Sequence, residues 1–290
     1  MFFISQTEFV DIVKSVSYFK TMSRADLIAR KAIDINTKLP SNEVYLAKYI
    51  SSYETLNDEQ KYKLIQAVSK ANHLLKPYRI LHNIKWKIAK IQNGIEQSFP
   101  HTFRDTIIIT DDVINTDLEA LIATLIHEKF HVFQRLYNSK IQDLIRMLDF
   151  VPLSSSQVLM IDYVLRSLMR NNPDLDGNIY MYIPSRLTEM NKKYSNKIIA
   201  QLYNTSEPTS LSDSSAKMIS LNTYGSNSEI LQLSNDKLGL PSSFRCQLEH
   251  PYEITACLIT EMLTNVRFYS LNKNNSVVMI TNKWMKEQLV

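Results

Sequence analysis

For about six helical turns between Asp117 and Tyr137 the chain repeats apolar side chains at helical spacing, and late in that run stands His127-Glu128-Lys129-Phe130-His131. Leu118, Leu121, Ile122, Leu125, Ile126, Val132, Phe133 and Leu136 give the helix one wide apolar face, which has to be covered by a core. Thr116 and Glu119 have the spacing of a capping box and are expected to start it. His127 and His131 are four residues apart, so they stack one turn above the other on one face. Two imidazoles so placed can share one Zn²⁺. Glu128 lies one step around the helix, where its carboxylate reaches a water beside the metal rather than the metal itself. Without a metal, the same residues are two buried histidines flanking a carboxylate, and they need hydrogen-bond partners to offset their desolvation.

The rest of the composition narrows the class. A chain of 290 residues, 44% hydrophobic and 21% charged, can bury one large core or two modest ones. The net charge is +4 and the Lys and Arg are scattered, so no basic stripe marks a nucleic-acid surface. Two cysteines, Cys246 and Cys257, speak against a disulfide-stapled secreted scaffold and leave room for a single bridge. The start, Met1-Phe2-Phe3-Ile4-Ser5, lacks a basic leader region, and no apolar run is long enough to span a membrane. An intracellular location is the expectation. Four glycines in the whole chain leave few positions where positive φ comes easily, which favours a helix-rich α+β fold.

In order along the chain, residues 5–75 read as successive helices. Phe9, Ile12, Val13, Val16 and Phe19 keep helical spacing, Ser23 and Asp26 form a capping-box pattern, and Asn57 to Gln60 caps a helix through Leu75. Pro77 marks a change of period. Ile84, Trp86, Ile88 and Ile91, with Lys85, Lys87 and Lys90 opposite, read as a half-buried strand. A second strand, Ile107–Ile109, precedes the motif helix. His101 lies just before that strand and either faces the site or is simply exposed beside Pro100. Further helices are expected around Ile141–Leu148 and Val158–Leu168, and strands at Ile179–Ile183 and Lys217–Leu221. The division is a helical N-terminal part, 1–76, packed on a core formed by 77–290, the two expected to make one compact unit without an internal repeat.

A catalytic zinc site takes three protein ligands and leaves one position open. After His127 and His131, the third is sought in Glu249-His250-Pro251-Tyr252-Glu253. Pro251 suits the first position of a helix, which puts Glu253 in its first turn, and small Ala256 would let this helix approach the motif helix closely. Glu253 is the preferred ligand, with His250 and Glu249 as alternatives. A first-turn glutamate also has an ordinary explanation in the helix dipole.

With these residues in view the chain resembles the zincin metallopeptidases, and among them the gluzincins, in which a glutamate on a later helix completes the metal site. The combination of Pro100-His101-Thr102, a short strand, Thr124 to His131 and Pro251-Tyr252-Glu253 also resembles a group of uncharacterised zincin-like proteins. The resemblance implies a zincin-like core with a small mixed sheet beside the motif helix, one Zn²⁺ held by His127, His131 and Glu253, and hydrolysis of a peptide or protein substrate with Glu128 as general base. It also implies a donor to the oxyanion, for which His101, Tyr252, Tyr224 and His250 are candidates, and an edge strand for the substrate, for which Thr106–Thr110 is the candidate. The sequence departs from the family at two points. The interval from His131 to Glu253 is long, and Cys257 stands where several gluzincins carry an acid that orients a metal-bound histidine, so another acceptor is needed. The competing reading is a zinc-binding but catalytically inactive interaction or structural protein of the same fold.

Overall fold

The structure is a computed structural model that describes residues 1–175, 177–185, 193–220 and 229–290. It is α+β and helix-rich. The N-terminal layer comprises β1 (Phe2–Phe3), α1 (Gln6–Ser15), α2 (Arg24–Ala29), α3 (Asn42–Ser51), β2 (Tyr53–Glu54) and α4 (Asp58–Leu75). Ser23 with Asp26 and Asn57 with Gln60 form the capping boxes that start α2 and α4. A short α5 (Arg79–Asn83) leads into β3 (Lys87–Ile91), β4 (His101–Phe103) and β5 (Thr106–Ile109).

These strands make a mixed sheet in the order β1-β3-β5-β4. β1 and β5 run parallel to β3, β4 runs antiparallel to β5, and β2 pairs with the far end of β3. Residues 1–76 are therefore not purely helical, because two short strands from them line one side of β3. The strand expected to be half-buried is covered on both faces: Ile88, Ala89, Lys90 and Ile91 are all buried. Lys90 tolerates this because its Nζ meets Asp111 at 3.0 Å and Glu54 at 3.1 Å.

After α6 (Asp111–Ile114) comes the motif helix α7 (Leu118–Leu136). Its cap is Asp117, which accepts from the Ala120 amide at 2.8 Å; Thr116 instead donates its hydroxyl to the Val113 carbonyl. Asp117 is one residue nearer the first free amides, and its charge also complements the helix dipole. The burial is wider than one face. From Glu128 to Gln134 every residue is buried, because α4 packs on one side and α11 (Pro251–Thr264) on the other. Leu136 falls beyond this sandwich and is exposed. Leu121, Leu125, Phe130 and Phe133 share one core with Leu64, Ala71 and Ile259. Each fully buried large apolar side chain there contributes roughly 1.5–3 kcal/mol. Lys129, inside the motif, is buried as well: its Nζ donates to the Ile84 carbonyl at 2.6 Å and lies 3.9 Å from the centre of the Trp86 ring. Burial lowers its pKa to about 7.

Beyond α7 follow α8 (Asn138–Met147), β6 (Phe150–Pro152) and two short helices, α9 (Ser155–Leu159) and α10 (Tyr163–Ser167). A second, antiparallel sheet has the order β10-β9-β8-β7-β6, with β7 at Tyr180–Tyr182, β8 at Lys197–Tyr203, β9 at Ser214–Ser220 and β10 at Ile230–Gln232. The chain closes with α11, α12 (Val266–Asn272) and α13 (Ser276–Gln288). Cys246 and Cys257 form a disulfide with a Cα–Cα distance of 6.0 Å, which ties the segment before α11 to the helix itself. Among the described residues no helix is long and apolar enough to cross a membrane.

Candidate metal centre

The long helices α7 and α11 face one another through small and apolar side chains. Ala256 has no exposed surface and belongs to the same core as Leu125 and Ile126 of α7, and its small side chain lets the two packed helices come close. That approach carries Glu253, one turn before Ala256, to the two motif histidines. His127 Nε2 and His131 Nε2 are 3.0 Å apart, and Glu253 Oε2 is 3.4 Å from the first and 3.5 Å from the second. Four-coordinate zinc with bonds near 2.0–2.2 Å spaces neighbouring ligand atoms about 3.3 Å apart. The three donor atoms already stand at that spacing, so the residues fit the metal.

Electrostatics point the same way. Burial opposes a charge on His131, yet the carboxylates of Glu253 and Asp174 push its pKa up to about 10. Burial likewise opposes ionisation of Glu253, and the two histidines overcome it and hold the carboxyl well below its ordinary value. The field at the triangle favours a cation. Glu128 is 1% exposed, and its Oε2 has no hydrogen-bond partner. Burial first, and then the neighbouring Asp174 carboxylate, raise its pKa well above the usual range. Glu128 thus places a buried carboxyl oxygen without a partner within 4.8 Å of His131, where a native fold rarely leaves one.

The supporting groups come from places the motif does not announce. Gln134, three residues past His131, accepts from its Nδ1 at 2.7 Å and donates to the Tyr252 carbonyl at 2.9 Å and the Thr255 hydroxyl at 3.1 Å. It holds the His131 ring in the way the resemblance would ask of residue 257, where Cys257 is instead taken up by the disulfide. Its i,i+3 spacing from His131 was the available sequence signal. Asn172 donates to Glu253 Oε1 at 2.7 Å, leaving Oε2 directed to the histidines. Asp174 accepts from the Thr102 amide and hydroxyl at 2.7 and 2.6 Å and lies within 4.8 Å of Glu128 and His131. The sequence marks Asn172 and Asp174 only as part of a turn.

The remaining candidates do not join the triangle. His250 does not join the triangle: it is the N-cap of α11, accepting from the Tyr252 amide at 3.1 Å, with its Nε2 3.1 Å from the Asn178 carbonyl. Both of its ring nitrogens are thus engaged. Glu249 is buried but lines a neighbouring cavity of about 600 Å³, where burial and the Glu253 charge raise its pKa to about 7. Tyr252 is 1% exposed, its hydroxyl meets Gln142 and Asn138, and it does not line the cavity over the triangle. His101 is neither exposed nor at the triangle: it is buried in β4, lines the cavity, and bonds to the Tyr49 hydroxyl and the Phe99 carbonyl. Tyr224 lies outside the described residues.

The cavity over the triangle measures about 280 Å³ and is lined by His127, Glu128 and Glu253 on one side and by Phe99, Pro100 and Arg245 among others. One wall is held in an unusual backbone. Glu96, Gln97 and Ser98 are consecutive left-handed residues with φ of 47°, 55° and 62°, a conformation that costs L-residues roughly 1–2 kcal/mol each. Glu96 anchors the turn, accepting from Tyr18 at 2.8 Å, Tyr45 at 2.6 Å and Arg30 at 3.1 Å, all from the N-terminal layer. No protein-family model matches the chain, and neither curated proteins nor solved structures give a match.

Proposed function

We propose that the protein is a zinc-dependent hydrolase of peptide bonds, a metallopeptidase of gluzincin type. The observation that carries this reading is the triangle of His127, His131 and Glu253 donor atoms at zinc-ligand spacing, with the unpartnered Glu128 carboxylate beside it. A zinc ion bound there supplies Lewis acidity toward a carbonyl and a water whose pKa is brought near neutrality.

The chain's own residues supply the rest. Glu128 takes a proton from the attacking water as its oxygen bonds to the amide carbon. It then delivers that proton to the nitrogen as the C–N bond breaks, so the products are a carboxylic acid and an amine. Gln134 keeps His131 in the tautomer that presents Nε2 to the site, and Asn172 keeps Glu253 turned toward the histidines. A purely structural zinc site has no use for an orphaned carboxylate at the Glu128 position, which favours chemistry over scaffolding.

The test is metal content by elemental analysis of wild type, Glu253→Ala and Glu128→Gln, followed by a screen with peptide pools. The expected result is one zinc per chain in wild type and in Glu128→Gln, loss of zinc in Glu253→Ala, and hydrolysis by wild type alone. Wild type that takes up no zinc, or Glu128→Gln that hydrolyses peptides as wild type does, overturns the reading.

A further inference from the structure

The sheet edge nearest the metal cavity is β4, not the Thr106–Thr110 strand, because β5 lies between β3 and β4. An extended peptide that adds to a sheet needs unpaired N–H and C=O groups along such an edge. In β4 the residues alternate, so that positions 100, 102 and 104 direct their backbone groups away from β5. Position 100 is proline and has no N–H. Thr102 has neither group to offer: its N–H donates to Asp174 Oδ1 at 2.7 Å, and its carbonyl accepts from Arg135 Nη2 at 3.0 Å. Arg104 turns away with φ of 55°, and its carbonyl faces Arg135 Nη1 at 3.4 Å.

The segment that seals this edge is built in. Arg135 also holds the Pro173 carbonyl at 2.9 Å, Asn172 holds Glu253, and the Asp174 amide donates to Asn172 Oδ1 at 2.9 Å. Upstream, the Asn171 amide donates to both Asp26 oxygens, at 3.1 and 3.2 Å, and the Asn171 carbonyl accepts from Arg30 at 2.9 Å. Asn172 and Asp174 are buried, and lifting the segment would leave the buried Glu253 carboxylate without Asn172 and the buried Thr102 amide without Asp174. Among the described residues, no strand other than β4 lines the cavity, and its volume of about 280 Å³ sits at the small end for ligand sites.

Given the hydrolase reading on which this rests, we propose that the site takes the end of a peptide chain, or a similarly compact amide, and excludes the middle of an extended chain, because the segment Asn171–Asp174 occupies the sheet edge along which such a chain would lie.

The experiment uses the wild-type protein loaded with cobalt(II), whose visible spectrum reports ligands at the metal. Two phosphinic pseudopeptides are titrated: a pseudo-dipeptide with free ends, and the same core extended by three residues on each side and blocked at both termini. The expected result is a spectral change with the compact probe at least ten-fold tighter than with the extended one. In parallel, a ten-residue peptide with free ends loses terminal residues, while its acetylated and amidated counterpart stays intact. Equal or tighter binding of the extended probe, internal cleavage of the blocked peptide, or cobalt uptake with no response to either probe overturns the proposal while leaving the metal site standing. Failure to take up cobalt at all removes the hydrolase reading, and this proposal with it.

Discussion

Gln134 Oε1 accepts a hydrogen bond from His131 Nδ1 at 2.7 Å, and the same amide donates across the helix interface to α11. One side chain thus fixes the ring that would carry a metal and joins the two helices that build the site. Gln134→Leu keeps the volume and removes both functions. Metal affinity, measured by competition with a chromogenic chelator, is expected to fall roughly 10- to 100-fold, in line with losses of groups behind a metal-bound histidine. Unchanged affinity would mean that His131 is oriented by packing alone.

His250 tests the distinction between a ligand and a cap. As the N-cap of α11 it satisfies the Tyr252 amide. His250→Ala is expected to cost about 0.5–2 kcal/mol in chemical unfolding, while zinc content stays at the wild-type level. Loss of zinc with little loss of stability would place His250 among the ligands.

The Glu96 network sets an acid limit on stability. Burial works against ionisation of Glu96, but Arg30, with help from His101 and Tyr45, holds its pKa down at about 2, against an ordinary value of 4.5. The folded pKa is the lower one, so the unfolded chain binds the extra proton. The stabilisation is complete above pH 4.5 and is lost as pH falls from there toward 2. Denaturation midpoints of wild type should fall across that window more steeply than those of Glu96→Gln. Arg30→Ala leaves a buried carboxylate without its cation and is expected to cost about 3–5 kcal/mol at pH 7, which equilibrium unfolding in urea would show.

The disulfide closes a loop across a sequence separation of 11. A loop of that length is worth about 3 kcal/mol in the chain-entropy account. Thiol titration of the denatured, unreduced protein is expected to find no free thiol, and Cys246→Ser is expected to lower the thermal midpoint by several degrees. Two free thiols would show that the cysteines only lie side by side.

Several features were legible along the chain because they depend on neighbours a few residues apart. The helical period around His127 and His131 puts both rings on one face, and Pro251 begins the second helix at the position its fixed φ allows. The capping boxes at Ser23 and Asn57 are equally local. Thr116 is the exception among the caps, since Asp117 competes for the same amides at one residue's offset, and spacing alone does not rank the two. The all-round burial of α7 and the loss of Leu136 to solvent are also invisible in a period, which shows that a face is apolar but not how many neighbours will cover the helix.

The choice among Glu253, His250 and Glu249 belongs to the tertiary structure. All three lie within five residues of one another, and only the packing of α11 against α7 turns one carboxylate toward the histidines while His250 caps the helix and Glu249 faces another cavity. The same holds for Asn172 and Asp174, which reach the site from a turn more than thirty residues beyond the motif, and for Thr102, whose backbone groups they and Arg135 occupy. Local periodicity determines which side chains share a face of one element. Which faces meet, and which polar groups are left to one another when water is excluded, depends on long-range packing, and that is decided only when the chain has folded.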